Sequence, residues 1–162
     1  MKQMKHFIFI LILSVIGCGR NPKQGLTLSN KSPEAIYYVT SFIDRIDIRD
    51  LEDINIDGEV FSIDDYQGTG KVKIDTSYRY RILPGEEGQI LGGWLIEYGF
   101  RGPSAKELIN ENGGKVTVYV FTESFLRNTS KSTIVDEQVY SKRYMYNAND
   151  LERMNWTIKF IN

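Results

Sequence analysis

Histidine and cysteine are nearly absent from this sequence of 162 residues. The single histidine is His6 and the single cysteine is Cys18, so the chain beyond residue 18 contains neither residue type. Ser-His and Cys-His nucleophilic pairs, and the usual zinc sites built from His and Cys, are therefore excluded from that part of the chain. A disulfide within the chain is excluded as well, because one cysteine has no partner.

A hydrophobic run long enough to cross a membrane is also lacking. The apolar stretch from Phe7 to Gly17 has eleven residues, whereas a membrane-spanning helix needs about twenty. Lys2 and Lys5 precede the stretch and small residues close it, which is the layout of a secretory signal. We therefore expect residues 1–17 to be a signal peptide that is removed.

The signal ends in the motif VIGC, Val15 to Cys18. This motif resembles the lipobox of bacterial lipoproteins, in which an aliphatic residue, a small or β-branched residue and Gly or Ala precede a cysteine. The resemblance implies that the Cys18 thiol is acylated, that a peptidase cuts just before it, and that the protein is attached to a membrane there. Two or three acyl chains, at about 0.8 kcal/mol per buried methylene, would make this attachment effectively permanent.

Residues 18–27 are mostly polar, with Gly and Pro and no apolar periodicity, and we predict that they form a tether to a single domain spanning residues 28–162. In some lipoproteins of the Bacteroidetes, an acidic cluster directly after the cysteine marks export to the cell surface. This tether has no acidic residue. By that resemblance we expect the protein at the outer membrane, on the periplasmic face rather than on the cell surface.

The domain reads mainly as β-strands. Lys71 to Ile82 alternates apolar and polar residues without a break, which predicts one long half-buried strand. Lys115 to Thr122 is apolar on both sides, as expected for a strand that is covered on both faces. Four further runs are rich in β-branched and aromatic residues: AIYYVTSF, QILGGWLIEY, VYSKRYMY and WTIKFI.

Short helices are predicted at two places. Ser104 and Glu107 form a capping-box pattern, and Gly113 with Gly114 supplies a stop. The segment NANDLERMN, residues 147–155, offers Asn caps around one or two helical turns. We therefore predict a mainly β fold, a single β-sandwich of immunoglobulin-like or transthyretin-like style, with one to three short helices.

Three stretches resemble a group of small cell-envelope lipoproteins of the Bacteroidales. They are NKSPEAIYYV near the start of the domain, GGKVTVYVFTESFLRNTS, and the ending VYSKRYMYNANDLERMNWTIKF. Members of that group finish with a Lys-Arg-Tyr strand, a short Asp-Leu helix and an Asn-Trp-Thr strand, and usually close on Tyr-Pro, whereas this chain closes on Phe160-Ile161-Asn162. The group has no established activity, so the resemblance implies a compartment and a docked terminal strand only.

The segment from Asp53 to Asp64 has two interpretations. It resembles the calcium loops of EF-hand and dockerin modules, because acidic or amide residues stand at its positions 1, 3, 5 and 12 and Gly58 stands at position 6. The alternative is a hairpin in which Asp57-Gly58 forms a two-residue turn and four apolar residues line one face: Ile54, Ile56, Phe61 and Ile63. We favour the hairpin because it accounts for the isoleucines, and we predict no metal site.

Charge is distributed unevenly although the formal net charge is only −1. Such a charge does not suit a nucleic-acid-binding domain, so we expect no nucleic-acid partner.

Between Ile43 and Asp65, nine acidic residues stand against Arg45 and Arg49; the acidic residues are Asp44, Asp47, Asp50, Glu52, Asp53, Asp57, Glu59, Asp64 and Asp65. A basic strand face follows: Lys71, Lys73, Arg79 and Arg81. These regions could face separate partners, but we favour pairing between neighbouring strands.

Aromatic residues are numerous, with ten tyrosines and two tryptophans. They could stack against sugars, yet Tyr78, Tyr80 and Trp156 occupy the apolar phase of their strands and are expected in the core.

The leading functional hypothesis is a non-enzymatic interaction module for another envelope protein, without a catalytic site or a cofactor. The alternatives are an inhibitor or immunity lipoprotein against a toxin or protease, a glycan binder and, last, a glycosidase based on two carboxylates.

Overall fold

The computed structural model describes residues 25–57, 60–64, 71–75, 80–93 and 102–162. These residues contain nine strands and five short helices. The strands are β1 Leu26–Asn30, β2 Ile36–Ser41, β3 Val60–Asp64, β4 Lys71–Asp75, β5 Arg81–Ile82, β6 Glu87–Leu91, β7 Lys115–Thr122, β8 Lys142–Asn147 and β9 Thr157–Phe160. The helices are α1 Ile48–Glu52, α2 Ala105–Glu111, α3 Glu123–Asn128, α4 Lys131–Glu137 and α5 Ala148–Arg153.

A three-stranded sheet brings the first and last described strands together, in the order β6-β1-β9. β1 is antiparallel to β6 and parallel to β9, with Leu28 opposite Ile158. β1 begins at Leu26, so the last two residues of the predicted tether belong to this strand. The strand predicted at WTIKFI is confirmed, and its place beside β1 makes the end of the chain part of the core.

A four-stranded antiparallel sheet has the order β5-β2-β7-β8. Its central strand β7 is buried at every position after Lys115, which confirms the prediction of a strand covered on both faces. Val116, Val118 and Val120 pack in one apolar cluster, while Tyr119 and Phe121 pack in another. Alternation along β7 therefore supplies two separate cores.

The two cores lie on opposite faces of the four-stranded sheet. The larger one joins it to the three-stranded sheet and contains Leu28, Ile158 and Phe160 together with Ile109 of α2 and Leu151 of α5. This arrangement is the predicted β-sandwich-like fold. The smaller core is closed by residues of α1, α3 and α4, namely Leu51, Leu126 and Ile134, with Ile46 and Ile54 beside them. The helices thus form a third layer that the sequence did not predict.

The two predicted helices are confirmed with their caps. In α2, the Ser104 side chain accepts from the Glu107 N–H while the Glu107 carboxylate accepts from the Ser104 N–H. In α5, Asn147 plays the same part with Asp150. Helices α1, α3 and α4 begin at similar caps, Asp47, Thr122 and Ser130. The described residues therefore hold five helices rather than one to three, because helices of five to seven residues show too little apolar periodicity to stand out.

The prediction of one long strand from Lys71 to Ile82 is wrong. β4 pairs with β3, whereas β5 pairs with β2 in a different sheet. Directly before β5, Tyr80 has a left-handed backbone with φ 62°, which a continuous extended strand through this position does not allow. Residues 76–79 lie outside the described part. The alternation of apolar and polar residues did not reveal the break between β4 and β5, because the same alternation continues through both strands.

The predicted hairpin from Asp53 to Asp64 is also wrong. Asp53 is the C-cap of α1, and Ile54 is buried in the helix-covered core rather than in a strand. β3 pairs with β4, with Asp64 opposite Lys71 and Ser62 opposite Lys73, and has no other partner strand in the described residues. Gly58 lies outside the described part. Ile54 and Ile56 pack in the helix-covered core instead of facing a partner strand.

No helix among the described ranges is both long enough and apolar enough to span a bilayer. The predicted signal peptide, residues 1–17, and the predicted lipid attachment site, Cys18, fall outside those ranges.

Candidate functional site

An open pocket of about 430 Å³ lies where β5 and the start of β2 meet α3. We call it the Arg81 pocket. Its apolar wall consists of Pro33, Ala35, Leu83 and Pro84. Its polar side chains are Glu34, Arg81, Glu123, Ser124 and Arg127. Three segments far apart in sequence therefore contribute to one concave surface.

Backbone pairing positions these residues. Tyr37 of β2 lies directly opposite Arg81 of β5, and the same strand pairs Tyr37 with Phe121 of β7. β7 runs straight into α3 because Thr122 ends the strand and caps the helix, its side chain accepting from the Phe125 N–H. The Glu123 N–H donates to the Ala35 carbonyl at 3.0 Å and fixes the first residue of α3 against the loop before β2.

Glu34 closes one side of the Arg81 pocket. Its carboxylate accepts a hydrogen bond from the Ser124 N–H at 2.9 Å and another from the Ser124 hydroxyl at 3.1 Å. Both donors lie in the first turn of α3, where backbone N–H groups have no partner within the helix. The carboxylate is thereby held at the rim by this chain's own donors.

Glu123 and the two arginines form a charged row across the pocket. The Arg127 guanidinium donates to Glu123 at 2.8 and 3.1 Å and to Asp57 at 2.9 Å. The hydrogen bond to Glu123, followed by that to Asp57, raises the pKa of Arg127 above its ordinary value. Arg81 is more loosely engaged, since its Nη2 lies 3.7 Å from Glu123 Oε2, beyond hydrogen-bond distance.

Two buried donors on the neighbouring strands β5 and β2 have no acceptor among the described residues: Arg81 Nε and the Tyr37 hydroxyl. Tyr37 is fully buried, and the Arg81 side chain is 24% exposed. Burial raises the pKa of Tyr37, with weaker effects from the charges of Arg81 and Glu123, so the phenol stays protonated and able to donate. Unpartnered buried polar groups are uncommon in folded proteins, but these two atoms are shielded from solvent, and Tyr37 is not among the residues that line the pocket.

The predicted basic strand face is divided by the fold. Arg81 lies in the pocket on β5, whereas Lys71 and Lys73 belong to β4 in the two-stranded sheet. Arg79 is outside the described residues. Lys71 lies opposite Asp64 in the backbone register, and the favoured pairing of charges between neighbouring strands stays a prediction.

Described charges of the acidic segment are largely engaged within the domain. Asp44 binds Arg143 and accepts from Thr117 and Tyr119. Asp47 pairs with Arg49, and Asp57 pairs with Arg127. In the described ranges, no group of three or more acidic, His or Cys side chains is placed to hold a metal ion. Asp44, Asp47 and Asp57 are therefore paired within the domain, while their side chains stay partly exposed.

Among the described residues, the large hydrophobic side chains that are exposed are all aliphatic: Ile43, Ile48, Met145 and Ile161. Trp156 is 4% exposed, in the core as predicted. Tyr80 packs edge-on against Tyr38 at 5.6 Å between ring centroids, at the side of the helix-covered core. Tyr78 lies outside the described ranges. No flat platform of exposed aromatic rings is present in this part of the chain.

Comparison of the chain with protein families, with curated proteins and with solved structures found no match in any of the three.

Sequence reasoning singled out Arg81 but missed Glu34, Tyr37, Glu123 and Arg127. Glu123 and Arg127 are spaced four apart on α3, a signal that was available in the sequence. The pocket itself gave no local signal, because its residues come from three distant segments. Chemically, the arrangement offers an apolar wall beside charged and hydroxyl side chains that hydrogen-bond to one another.

Proposed function

We propose that this chain is a lipid-anchored binding module of the cell envelope, attached to the outer membrane through Cys18, and that it contacts an envelope protein at the Arg81 pocket. The observation that carries this proposal is the open concave surface itself, where Glu34, Arg81 and Glu123 from three distant segments lie beside an apolar wall. The lipobox resemblance supports the anchor, and the periplasmic face is the proposed side.

Binding is favoured over hydrolysis by the state of the pocket's two carboxylates. Glu34 is held by Ser124 and Glu123 by Arg127, each through short hydrogen bonds. A glycosidase needs one carboxyl group that gives a proton and another that attacks or activates water. Side chains already committed to fixed donors of the same chain are poorly suited to either task.

The rival functions have less support. An inhibitor or immunity lipoprotein would present the acidic segment to a cationic partner, but Asp44, Asp47 and Asp57 are paired internally. A glycan binder would be favoured by exposed aromatic rings, and the exposed large hydrophobics of the described residues are aliphatic.

A pull-down from envelope extracts tests the proposed site. The bait is the full chain, compared with Arg81→Gln and with a matched control, Arg153→Gln, which removes an exposed arginine of α5. We expect one stoichiometric protein that is retained by the wild type and the control and lost with Arg81→Gln. No partner, or equal retention by all three baits, contradicts the proposal. Retention on polysaccharide instead would favour the glycan binder.

The anchor is tested separately by Cys18→Ser. We expect the wild type in the detergent phase of a membrane extraction and the variant in the aqueous phase, because the variant has no thiol to acylate. Equal partition of the two chains would contradict lipid attachment. Protease added to intact cells reports the side, and degradation of the anchored protein would argue for the cell surface.

A further inference from the structure

We infer that the Arg81 pocket faces away from the membrane to which the chain is attached, so that its partner is a protein in the aqueous space beyond the domain rather than a lipid. This inference rests on the proposed function in one respect, since it takes the attachment at Cys18 as given. It goes further by naming the side from which the pocket is reached and the kind of partner that reaches it.

The start of β1 lies at the end of the domain where the predicted tether arrives. Leu26 is opposite Leu91, the last residue of β6. Gly93 packs so closely on Gly25 that a Cβ added to Gly93 would lie 2.8 Å from the Gly25 nitrogen. The Gly93 N–H also donates to the Pro103 carbonyl at 2.9 Å. We call this end of the domain, with Gly25, Gly93 and Pro103, the tether end.

The Arg81 pocket lies at the opposite end of the same strand. Asn30, the last residue of β1, donates from its side-chain amide to the Glu34 carbonyl at 2.8 Å and to the Ile82 carbonyl at 3.0 Å. The Asn30 carbonyl accepts from the Gly85 N–H at 2.9 Å. The loops before β2 and after β5, which both line the pocket, are thereby fixed to the end of β1. A strand of five residues holds its two ends about 13 Å apart.

The predicted tether is too short to let the pocket turn toward the bilayer. Leu26 follows Cys18 by eight positions, so the chain between them spans at most about 28 Å when fully extended and about 16 Å as a flexible coil. A domain of this size is about 35 Å across. Because the tether does not reach around the domain, the tether end stays beside the lipid and the pocket end faces water.

Exposed apolar groups lie at the pocket end, where this orientation presents them to water. Ile161 is 67% exposed and follows Phe160, whose carbonyl accepts from the Lys31 N–H directly after β1. Pro33 and Pro84 line the pocket and are exposed as well. An apolar surface that is held in water, away from lipid, fits contact with another protein.

Energy transfer from a dye on the protein to the bilayer tests the orientation. Beyond Cys18 the chain contains no cysteine, so a single introduced cysteine takes the dye at one place. Pro103→Cys labels the tether end and Pro84→Cys labels the pocket end, and both prolines are exposed. The acylated chains are inserted into preformed phosphatidylcholine vesicles that contain an acceptor-labelled lipid. Zwitterionic lipid keeps charge from orienting the domain.

We expect the dye at Pro103→Cys to transfer with about threefold higher efficiency than the dye at Pro84→Cys, because much of the width of the domain separates them. Equal transfer from the two dyes means that the domain turns freely, which overturns the inference. Stronger transfer from Pro84→Cys overturns it too, and would make lipid the partner of the surface around Ile161. The melting temperature of each variant in detergent shows that the folded chain is being compared.

A longer tether provides the second variant. An insertion of about twenty Gly and Ser residues after Gln24 raises the average reach of the tether to about 30 Å, so the difference between the two dyes should shrink. An unchanged difference would mean that the surface of the domain, and not the length of the tether, sets the orientation, which overturns the inference.

Failure here and failure of the proposed function give different results. If the dye-labelled chains do not bind the vesicles, the attachment at Cys18 is wrong and the inference falls with it. If both chains bind and their dyes transfer equally, the attachment stands and only the orientation is wrong. Chains that also carry Cys18→Ser are the control and should show no transfer; transfer from them would mean that the domain binds lipid by itself, which overturns the inference.

Discussion

The carboxylate of Asp44 connects three side chains of the four-stranded sheet. The residue has a left-handed backbone with φ 52°, which Asp tolerates better than most residues. Its carboxylate accepts from Thr117 at 3.0 Å, Tyr119 at 3.1 Å and Arg143 Nε at 3.0 Å. The hydrogen bond from Arg143, aided by those from Thr117 and Tyr119, lowers the pKa of Asp44 below its ordinary value of 3.8. The loop after β2 is thereby tied to β7 and β8.

Replacing Asp44 with Asn should destabilise the protein in a pH-dependent way. A lowered pKa means that the carboxylate contributes stability above pH 3.8 and that this contribution is lost as the pH falls through the lowered value. Because the side chain is partly exposed, we expect a loss of only about 1 kcal/mol near neutral pH. Urea unfolding measures it, with Asp136→Asn on exposed α4 as the control. A difference that persists unchanged at about pH 2 would contradict this assignment.

We expect the protein to lose stability in alkali, because two of its tyrosines have raised pKa values. Burial raises the pKa of Tyr38 to about 12, and burial together with the hydrogen bond to Asp44 raises the pKa of Tyr119 to about 12. Their contribution is complete below the unfolded value of 10.0 and is lost as the pH rises from there through about 12. We expect the melting temperature of the wild type to fall more steeply across this window than that of the double variant Tyr38→Phe, Tyr119→Phe. Parallel curves would count against the raised pKa values.

At the scale of elements, α1 depends on its neighbour α4. A helix of five residues is not stable by itself. Lys131 donates to the carbonyls of Leu51 and Ile54 at 2.6 and 2.9 Å, which places a cation at the carbonyl end of α1. Gln138, at the C-cap of α4, exchanges two hydrogen bonds with the backbone of Ile46 at 2.9 and 3.0 Å. The acidic segment is held in place by polar side chains as well as by its buried isoleucines.

Lys131→Met should loosen α1 without unfolding the sheets. The variant keeps an apolar stem but leaves the carbonyls of Leu51 and Ile54 without their donor, so we expect a loss of about 1 kcal/mol. Hydrogen exchange at the Ile54 amide, which donates to Leu51 in the native fold, should become faster, while exchange in β7 changes little. Lys142→Met, at an exposed position of β8, is the control. Equal exchange in both variants would mean that the Lys131 contacts do not hold α1.

At the scale of the whole molecule, the end of the chain completes the fold. β9 lies parallel to β1, and its Ile158 and Phe160 belong to the core between the two sheets. Tyr144 of β8 donates its hydroxyl to the Lys159 carbonyl at 3.2 Å, so the edges of the two sheets are joined directly. β9 therefore contributes both to the core between the sheets and to the contact between their edges.

Ile158→Ala should be one of the more damaging single changes. Its side chain is fully buried, and removing it leaves a cavity between the sheets, at a cost of about 3 kcal/mol. Ile161 is three residues away and 67% exposed, so Ile161→Ala should change the free energy of unfolding by less than about 0.5 kcal/mol. Chemical unfolding of the two variants measures the contrast. A similar effect of both would contradict the placement of β9.

The sequence by itself determined the elements whose signals are local. β7 could be predicted because its apolar residues are continuous, and α2 and α5 because their capping residues and stops lie within a few positions of one another. The β-sandwich-like fold followed from the number of such strands. The absence of His and thiols after Cys18 narrowed the available chemistry, again from composition alone.

Only the tertiary structure decided what depends on residues far apart in the chain. The turn at Tyr80, the pairing of β3 with β4 and the helical layer over the smaller core could not be read from alternation, because apolar residues look alike whichever surface they cover. The Arg81 pocket is the clearest case. Arg81 looked like one cation on a basic strand, and it became a candidate binding residue because pairing of β5 with β2 set it beside Tyr37 and α3.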